Sequence, residues 1–229
     1  YSDIAIGTSK IFGFNLKRNF NYPYFSRDIG EFWRRWHISL STWFRDYLYI
    51  PLGGSRGSAL NKLRNVMIIF VVSGFWHGPK WTFVAWGFLN GIYFIPLLLL
   101  KLNRSNTNDI TAKYIPSFRT ILSILITFAL TCFAWIFFRA SSIDQAFEYI
   151  GEVFSGSFLP NNWLYFHPLL LLQIGIFVVV EWFTRTKTHP LTFKKLSLPI
   201  RWSIYYLVVT IVLFSANYHS SSDFIYFQF

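Results

Sequence analysis

The sequence predicts an all-α protein embedded in a membrane. Three observations carry that prediction: a lipid-like composition, five apolar segments near spanning length, and basic residues sorted between them. Of 229 residues, 53% are hydrophobic, 22% aromatic and 14% charged, against about 25% charged in soluble domains. A soluble core of this size has no use for 27 Phe and 10 Trp. Cys132, the single cysteine, excludes an internal disulfide framework and a cysteine metal cluster; in its apolar run it reads as a packing residue.

In chain order, Tyr1-Ser-Asp-Ile-Ala-Ile-Gly7 has neither the charged start nor the apolar core of a signal peptide. The expectation is the C-terminal part of a longer protein. Residues 26–50 follow, with Phe32, Trp33, Trp36, Leu40, Trp43, Phe44 and Tyr47 at helical spacing and Arg34, Ser41 and Arg45 on another face. Asp28 and Glu31 form a helix-start capping pair, and Pro51-Leu-Gly-Gly54 ends the element. One continuous amphipathic helix over 31–46, lying at the membrane surface, is expected. It is either an interfacial anchor or a docking surface at the mouth of a site, whose arginines meet an anionic donor or carrier.

The apolar segments are residues 66–76, 81–100, 121–138, 164–183 and 202–216. The middle three approach the roughly 20 residues a helix needs to cross a bilayer. The first, broken around Gly74, Gly78 and Pro79, is a short span or a broken helix lining an enclosed cavity. Between them, residues 103–113 read as a polar connector and 151–162 as a loop.

Charge gives the orientation. If all five segments cross, residues 1–64, 101–119 and 184–201 share one side and carry 10, 4 and 5 of the 21 Lys and Arg. That side is cytoplasmic by the positive-inside rule, and the tail from Tyr218 lies outside. Opposite fall Lys80 and Arg139, with Asp144, Glu148 and Glu152 nearby. The net charge of +11 is thus attraction to anionic lipid; no basic region is free enough of apolar residues to suggest nucleic acid.

Within Ile68-Ile-Phe-Val-Val-Ser-Gly-Phe-Trp-His-Gly-Pro79, His77 is the one ionisable group, and such groups at membrane depth face a cavity, a partner or a substrate path. Burial would keep its imidazole neutral near neutral pH. A histidine satisfied by a carbonyl between helices is the plainer alternative. Ser73, one turn earlier, reads as packing rather than nucleophile. His167, His189 and His219 read as interfacial or loop residues, and the histidine spacings support no metal site.

Phe32-Trp-Arg-Arg-Trp-His-Ile-Ser-Leu-Ser-Thr-Trp-Phe-Arg-Asp-Tyr-Leu-Tyr-Ile-Pro-Leu-Gly-Gly54, with Ser73-Gly-Phe-Trp-His-Gly78 and Trp81-Thr-Phe-Val-Ala-Trp-Gly87, resembles the membrane-bound O-acyltransferases. Within that family it looks like the bacterial alginate O-acetyltransferase subunit type. Asn19-Phe-Asn-Tyr-Pro-Tyr24 and the terminal Phe224-Ile-Tyr-Phe-Gln-Phe229 fit the same branch, whereas residues 101–213 match in hydropathy only.

The resemblance implies that residues 1–229 are the C-terminal part of one multi-span domain, with a cytoplasmic or interfacial motif region at 1–64 and transmembrane helices at 65–229. It implies His77 as the catalytic histidine and His37 as a second important polar residue. It also implies a tunnel where a cytoplasmic acyl donor and an outer acceptor meet. On that reading His77 is the general base that takes the proton of a sugar hydroxyl attacking a thioester. Arg34, Arg35, Arg45 and Trp36 are candidate donor contacts, and Trp76 is a tunnel wall or an interfacial anchor. Asn90 stands where relatives often have histidine, and is a candidate contact for a substrate hydroxyl.

No bound cofactor is expected; the donor is acetyl-coenzyme A or an acyl carrier protein. The expected partners are membrane lipid, an exported polysaccharide acceptor and periplasmic acetyl-transfer proteins. The expected location is the bacterial cytoplasmic (inner) membrane, crossed several times. Transfer of D-alanyl to teichoic acid is the alternative within the family, and a channel or transporter using His77 as a gate or proton relay is the alternative outside it.

Overall fold

The computed structural model describes residues 2–102, 106, 115–155, 168–187, 193 and 196–215. Regular structure among the described residues is helical throughout. The chain divides into two compact units, residues 1–174 and 175–229, and each is described by itself.

The first unit opens with α1 (Ser2–Ile11), followed by a 3-10 turn at Pro23–Phe25. Next come α2 (Ile29–Arg35), α3 (Ile38–Phe44) and a π-helical turn at Arg45–Tyr49. The expected helix over 31–46 is therefore not continuous: it breaks at Trp36 and His37. The cause is local, since His37 takes left-handed dihedrals of φ 46 and ψ 56, which no residue inside an α-helix can have. The expected cap does form. Asp28 accepts the Glu31 backbone N–H at 2.7 Å, but the Glu31 carboxylate turns instead to the Arg27 backbone N–H, at 2.8 Å.

Two long helices, α4 (Ala59–Trp76) and α5 (Trp81–Leu99), form an antiparallel hairpin that is the most extensive helix pairing in the unit. Ser58 caps α4 by accepting the Asn61 N–H at 3.2 Å. The first apolar segment is thus longer than expected, extended by a polar, capped first turn. Gly74 and Gly87 let the two backbones touch: a Cβ on Gly74 would overlap the Phe83 carbonyl oxygen, and one on Gly87 the Phe70 carbonyl oxygen. Gly87 and Gly91 make a small-xxx-small face, the device by which helices approach closely where lipid supplies no hydrophobic drive.

Helix α6 (Phe118–Arg139) packs on α5. Ser117 caps it through the Thr120 N–H at 3.2 Å. Within it, Thr127 and Thr131 return their hydroxyls to carbonyls one turn back, at 2.9 and 2.8 Å, so neither presents an unsatisfied donor. By length and apolar composition α5 and α6 are, among the described residues, the two helices able to cross a membrane, with 33% and 22% of their apolar windows buried inside the protein.

Where a loop was expected after Arg139 and again from 151, the chain folds α7 (Ile143–Ser155). Ser142 accepts the Gln145 N–H at 3.1 Å, while Gln145 accepts the Ser141 N–H at 2.7 Å, which starts a helix firmly. Ala146, fully buried, seats α7 in the cluster formed with Trp86, Ala134 and Phe137.

Helix α8 (Pro168–Thr184) runs across the boundary between the units, and α9 (Leu198–Ser215) belongs to the second. In the second unit the Arg185 guanidinium stacks on the Trp182 ring, 3.8 Å from its centroid, the habit of a basic residue closing an apolar helix at an interface. The readings of His167, His189 and His219, of residues 156–162 and of the terminal Phe224–Phe229 motif fall outside the described residues.

Candidate active site

His77 stands at the turn between α4 and α5. Its N–H closes the last turn of α4 on the Gly74 carbonyl at 3.1 Å, and Gly78, at φ +150, turns the chain toward Pro79. Aromatic rings box the imidazole: Trp76 and Phe138 with centroids at 5.0 Å, Trp86 at 5.3 Å and Phe83 at 6.2 Å. The box draws on α4, α5 and α6 together. The imidazole is half-buried, so position 77 is not sealed from the surroundings.

His37 forms the corner between α2 and α3. A left-handed backbone at a residue other than glycine costs about 1–3 kcal/mol and persists only where its surroundings enforce it. Here the enforcement is a strap, residues 19–21, laid across the corner. The Asn21 N–H donates to the Arg35 carbonyl, and the Ile38 N–H donates to the Asn19 carbonyl, both at 2.9 Å. Between those bonds the Phe20 ring meets Trp36 edge-on at 4.9 Å and His37 at 5.7 Å. Burial holds the His37 imidazole below its ordinary value.

Three buried polar atoms on these elements have no hydrogen-bond partner among the described residues: His37 Nδ1, the Trp33 indole Nε1 and the Thr82 hydroxyl. Buried polar atoms are ordinarily satisfied, and each such exception is a place where a ligand group can bond. Trp33 stacks edge-on against Trp86, 5.7 Å away, so the Trp86 ring bridges it to His77.

The other sequence candidates are dispersed. Trp36 packs face to face on Phe32 at 5.5 Å and against Trp135 at 5.4 Å. Arg35 binds Glu31 at 2.9 Å and the Asn21 carbonyl at 3.2 Å, so its guanidinium is engaged inside the protein. Arg34 reaches out to the Asn106 carbonyl at 3.1 Å. Arg45 is exposed and pairs with Asp46 at 2.7 Å. Trp76 is exposed beside His77. Asn90 is buried on α5, its amide donating to the Trp86 carbonyl at 2.8 Å.

Sequence reasoning read Glu31 only as the capping partner of Asp28 and missed that it is 1% exposed and grips both Arg27 and Arg35. The i, i+4 spacing of Arg27, Glu31 and Arg35 was the available signal. It also passed over Trp33, Trp86 and Phe138, whose roles as walls depend on which helices meet.

A half-buried, aromatic-boxed imidazole at the end of helices suited to lipid defines a class: a helical membrane protein. The chain belongs to the membrane-bound O-acyltransferase family, MBOAT, whose family model matches residues 1–143. It is 43% identical over 155 residues to the probable alginate O-acetylase AlgI of Azotobacter vinelandii, covering 68% of this chain and 29% of that protein. It is 44% identical over 148 residues to the peptidoglycan O-acetyltransferase of Helicobacter pylori, covering 65% and 27%. To the teichoic acid D-alanyltransferase of Bacillus subtilis it is 33% identical over 147 residues, covering 60% and 36%. The chain spans about 30% of the length of the first of these relatives.

Proposed function

We propose that this chain carries the histidine site of a membrane O-acyltransferase that moves an acetyl group from a cytoplasmic thioester toward hydroxyls of an exported polysaccharide. The observation behind this reading is His77, a half-buried imidazole in an aromatic box, together with His37, whose Nδ1 is buried and unbonded on an enforced backbone corner. A sugar hydroxyl is a weak nucleophile unless a base removes its proton as it attacks. His77 takes that proton while the hydroxyl oxygen bonds to the thioester carbonyl carbon. The tetrahedral intermediate then collapses, the carbon–sulfur bond breaks, and the imidazolium returns its proton to the departing thiolate. The aromatic walls exclude the water that would hydrolyse the donor.

His37 supplies a polar contact to the donor or acceptor through Nδ1. The Trp33 indole N–H is placed to donate to an oxygen that gains negative charge. Arg34 and Arg45, exposed on the 26–50 segment, suit the phosphate groups of acetyl-coenzyme A or of an acyl carrier protein. The protein would lie in the bacterial cytoplasmic membrane, crossing it several times with the basic loops inside; where a periplasmic transfer protein carries the acetyl group onward, the attacking hydroxyl is that protein's and the same step acylates it. Matches to O-acetyltransferases at 43–44% identity over 148–155 residues, against 33% over 147 and 40% over only 99 for two D-alanyltransferases, favour acetyl over D-alanyl as the group moved.

The test is His77→Ala in the full-length protein, with membrane insertion, polymer export and ester content measured together. Loss of ester by about 10²-fold or more with normal insertion and export supports general-base catalysis. Unchanged ester per polymer unit with lost export supports a transport role instead and removes the catalytic one.

A further inference from the structure

We propose that Asn19 is a positioning residue that holds His37 in its left-handed conformation and thereby sets the reach of that imidazole; this rests on the proposed role of His37. Asn19 is the residue through which the strap grips α3. Its carbonyl accepts the Ile38 N–H at 2.9 Å, and its side-chain Oδ1 accepts both the Ser39 N–H, at 2.9 Å, and the Ser39 hydroxyl, at 3.0 Å. Three donors of the two residues after His37 thus converge on one amino acid. On the other side of the corner, the Arg35 carbonyl receives the Asn21 N–H at 2.9 Å, and the Arg35 guanidinium returns to the Asn21 carbonyl at 3.2 Å.

The backbone of residues 36 and 37 is therefore clamped fore and aft by residues 19–21, and the Ser41 hydroxyl of α3 adds one longer bond to the Trp36 carbonyl, at 3.3 Å. The His37 side chain offers α3 no cap, and its Nδ1 stays buried and unbonded. A cap on α3 would be the ordinary use of a polar residue at that position. Asn19 takes it over: the first free N–H groups of α3 belong to Ile38 and Ser39, and both donate to Asn19. The imidazole is in this way relieved of capping, and its ring packs against Phe20. The bend also divides the packing, with α2 against α5 and the π-helical turn against α4, so His37 sits where the chain passes from one helix of the hairpin to the other.

A displacement near 1 Å of a group in a reacting site costs about 10²-fold in rate. The experiment uses the full-length protein in membranes, with Asn19→Ala, Asn19→Asp and His37→Ala assayed for acyl transfer at varied donor concentration. Asn19→Ala should lower kcat by about 10²-fold with donor KM within about threefold of the parent, because the donor contacts are intact and the corner is not. Asn19→Asp keeps an acceptor for both Ser39 donors and should retain at least about a third of the parent kcat. Combining Asn19→Ala with His37→Ala should add little to the loss from His37→Ala alone, as expected of residues acting through one group. Full kcat in Asn19→Ala overturns the proposal, and so does a loss that Asn19→Asp does not restore. Full kcat in His37→Ala would instead overturn the reading of His37, and the two failures are thereby told apart.

Discussion

Replacing Glu31 by alanine should cost the fold about 3 kcal/mol or more, and the structure shows where that figure comes from. The carboxylate is 1% exposed and accepts five hydrogen bonds between 2.8 and 3.1 Å: the backbone N–H, Nε and Nη2 of Arg27, and the Nε and Nη2 of Arg35. The guanidinium side chains are themselves mostly enclosed, at 19% and 14% exposure. Removing the anion leaves two like charges packed together with one peptide N–H unpaired, and breaking a buried pair in this way costs about 3–5 kcal/mol. Residual exposure of the arginines puts the expectation at the lower end. At about 2–4 °C per kcal/mol, the melting temperature of detergent-solubilised full-length protein, followed by size-exclusion fluorescence, should fall by about 6–12 °C. Converting the triad to apolar residues, Arg27→Leu with Glu31→Leu and Arg35→Met, should recover most of that loss, because no buried charge is then left uncompensated. A melting temperature for Glu31→Ala within about 2 °C of the parent would refute the reasoning.

Two further expectations concern the hairpin and the corner. Gly87→Ala places a Cβ against the Phe70 carbonyl oxygen, which belongs to the backbone and cannot turn aside; the α4–α5 pairing should weaken by about 1–3 kcal/mol, read as reduced cross-linking between cysteines placed on the two helices. The lowered His37 value fixes a pH direction: the imidazole is neutral above its folded value, so turnover should hold as pH falls through 6.5 and decline only below it. The same shift means the unfolded chain binds the proton more readily, so the stability that neutral His37 contributes is complete above 6.5 and fades as pH falls toward the folded value. A pH–rate series with a parallel pH–melting series checks both signs.

Much of this fold was legible because lipid asks for little beyond length and apolarity. The segments at 81–100 and 121–138 coincide with α5 and α6 to within a few residues, and Asp28 caps α2 as its position suggested. What escaped was geometry that residue periodicity does not encode. Aromatic groups from Phe32 to Tyr47 keep helical spacing straight through the break at His37, since the break changes direction without changing which residues are apolar. Helix α7 was masked by its acidic residues, although Ser142 and Gln145 carried a start signal. At the site, His77 stood out as a lone ionisable group in an apolar run. Its walls come from residues far apart in the chain, so Phe138 and Trp86 acquire meaning only once α5 and α6 pack.

The glycine contacts between α4 and α5 have a mechanical consequence. With carbonyl oxygens seated where side chains would otherwise stand, the two backbones interlock and cannot slide past one another without collision, so the turn bearing His77 is fixed like an anvil.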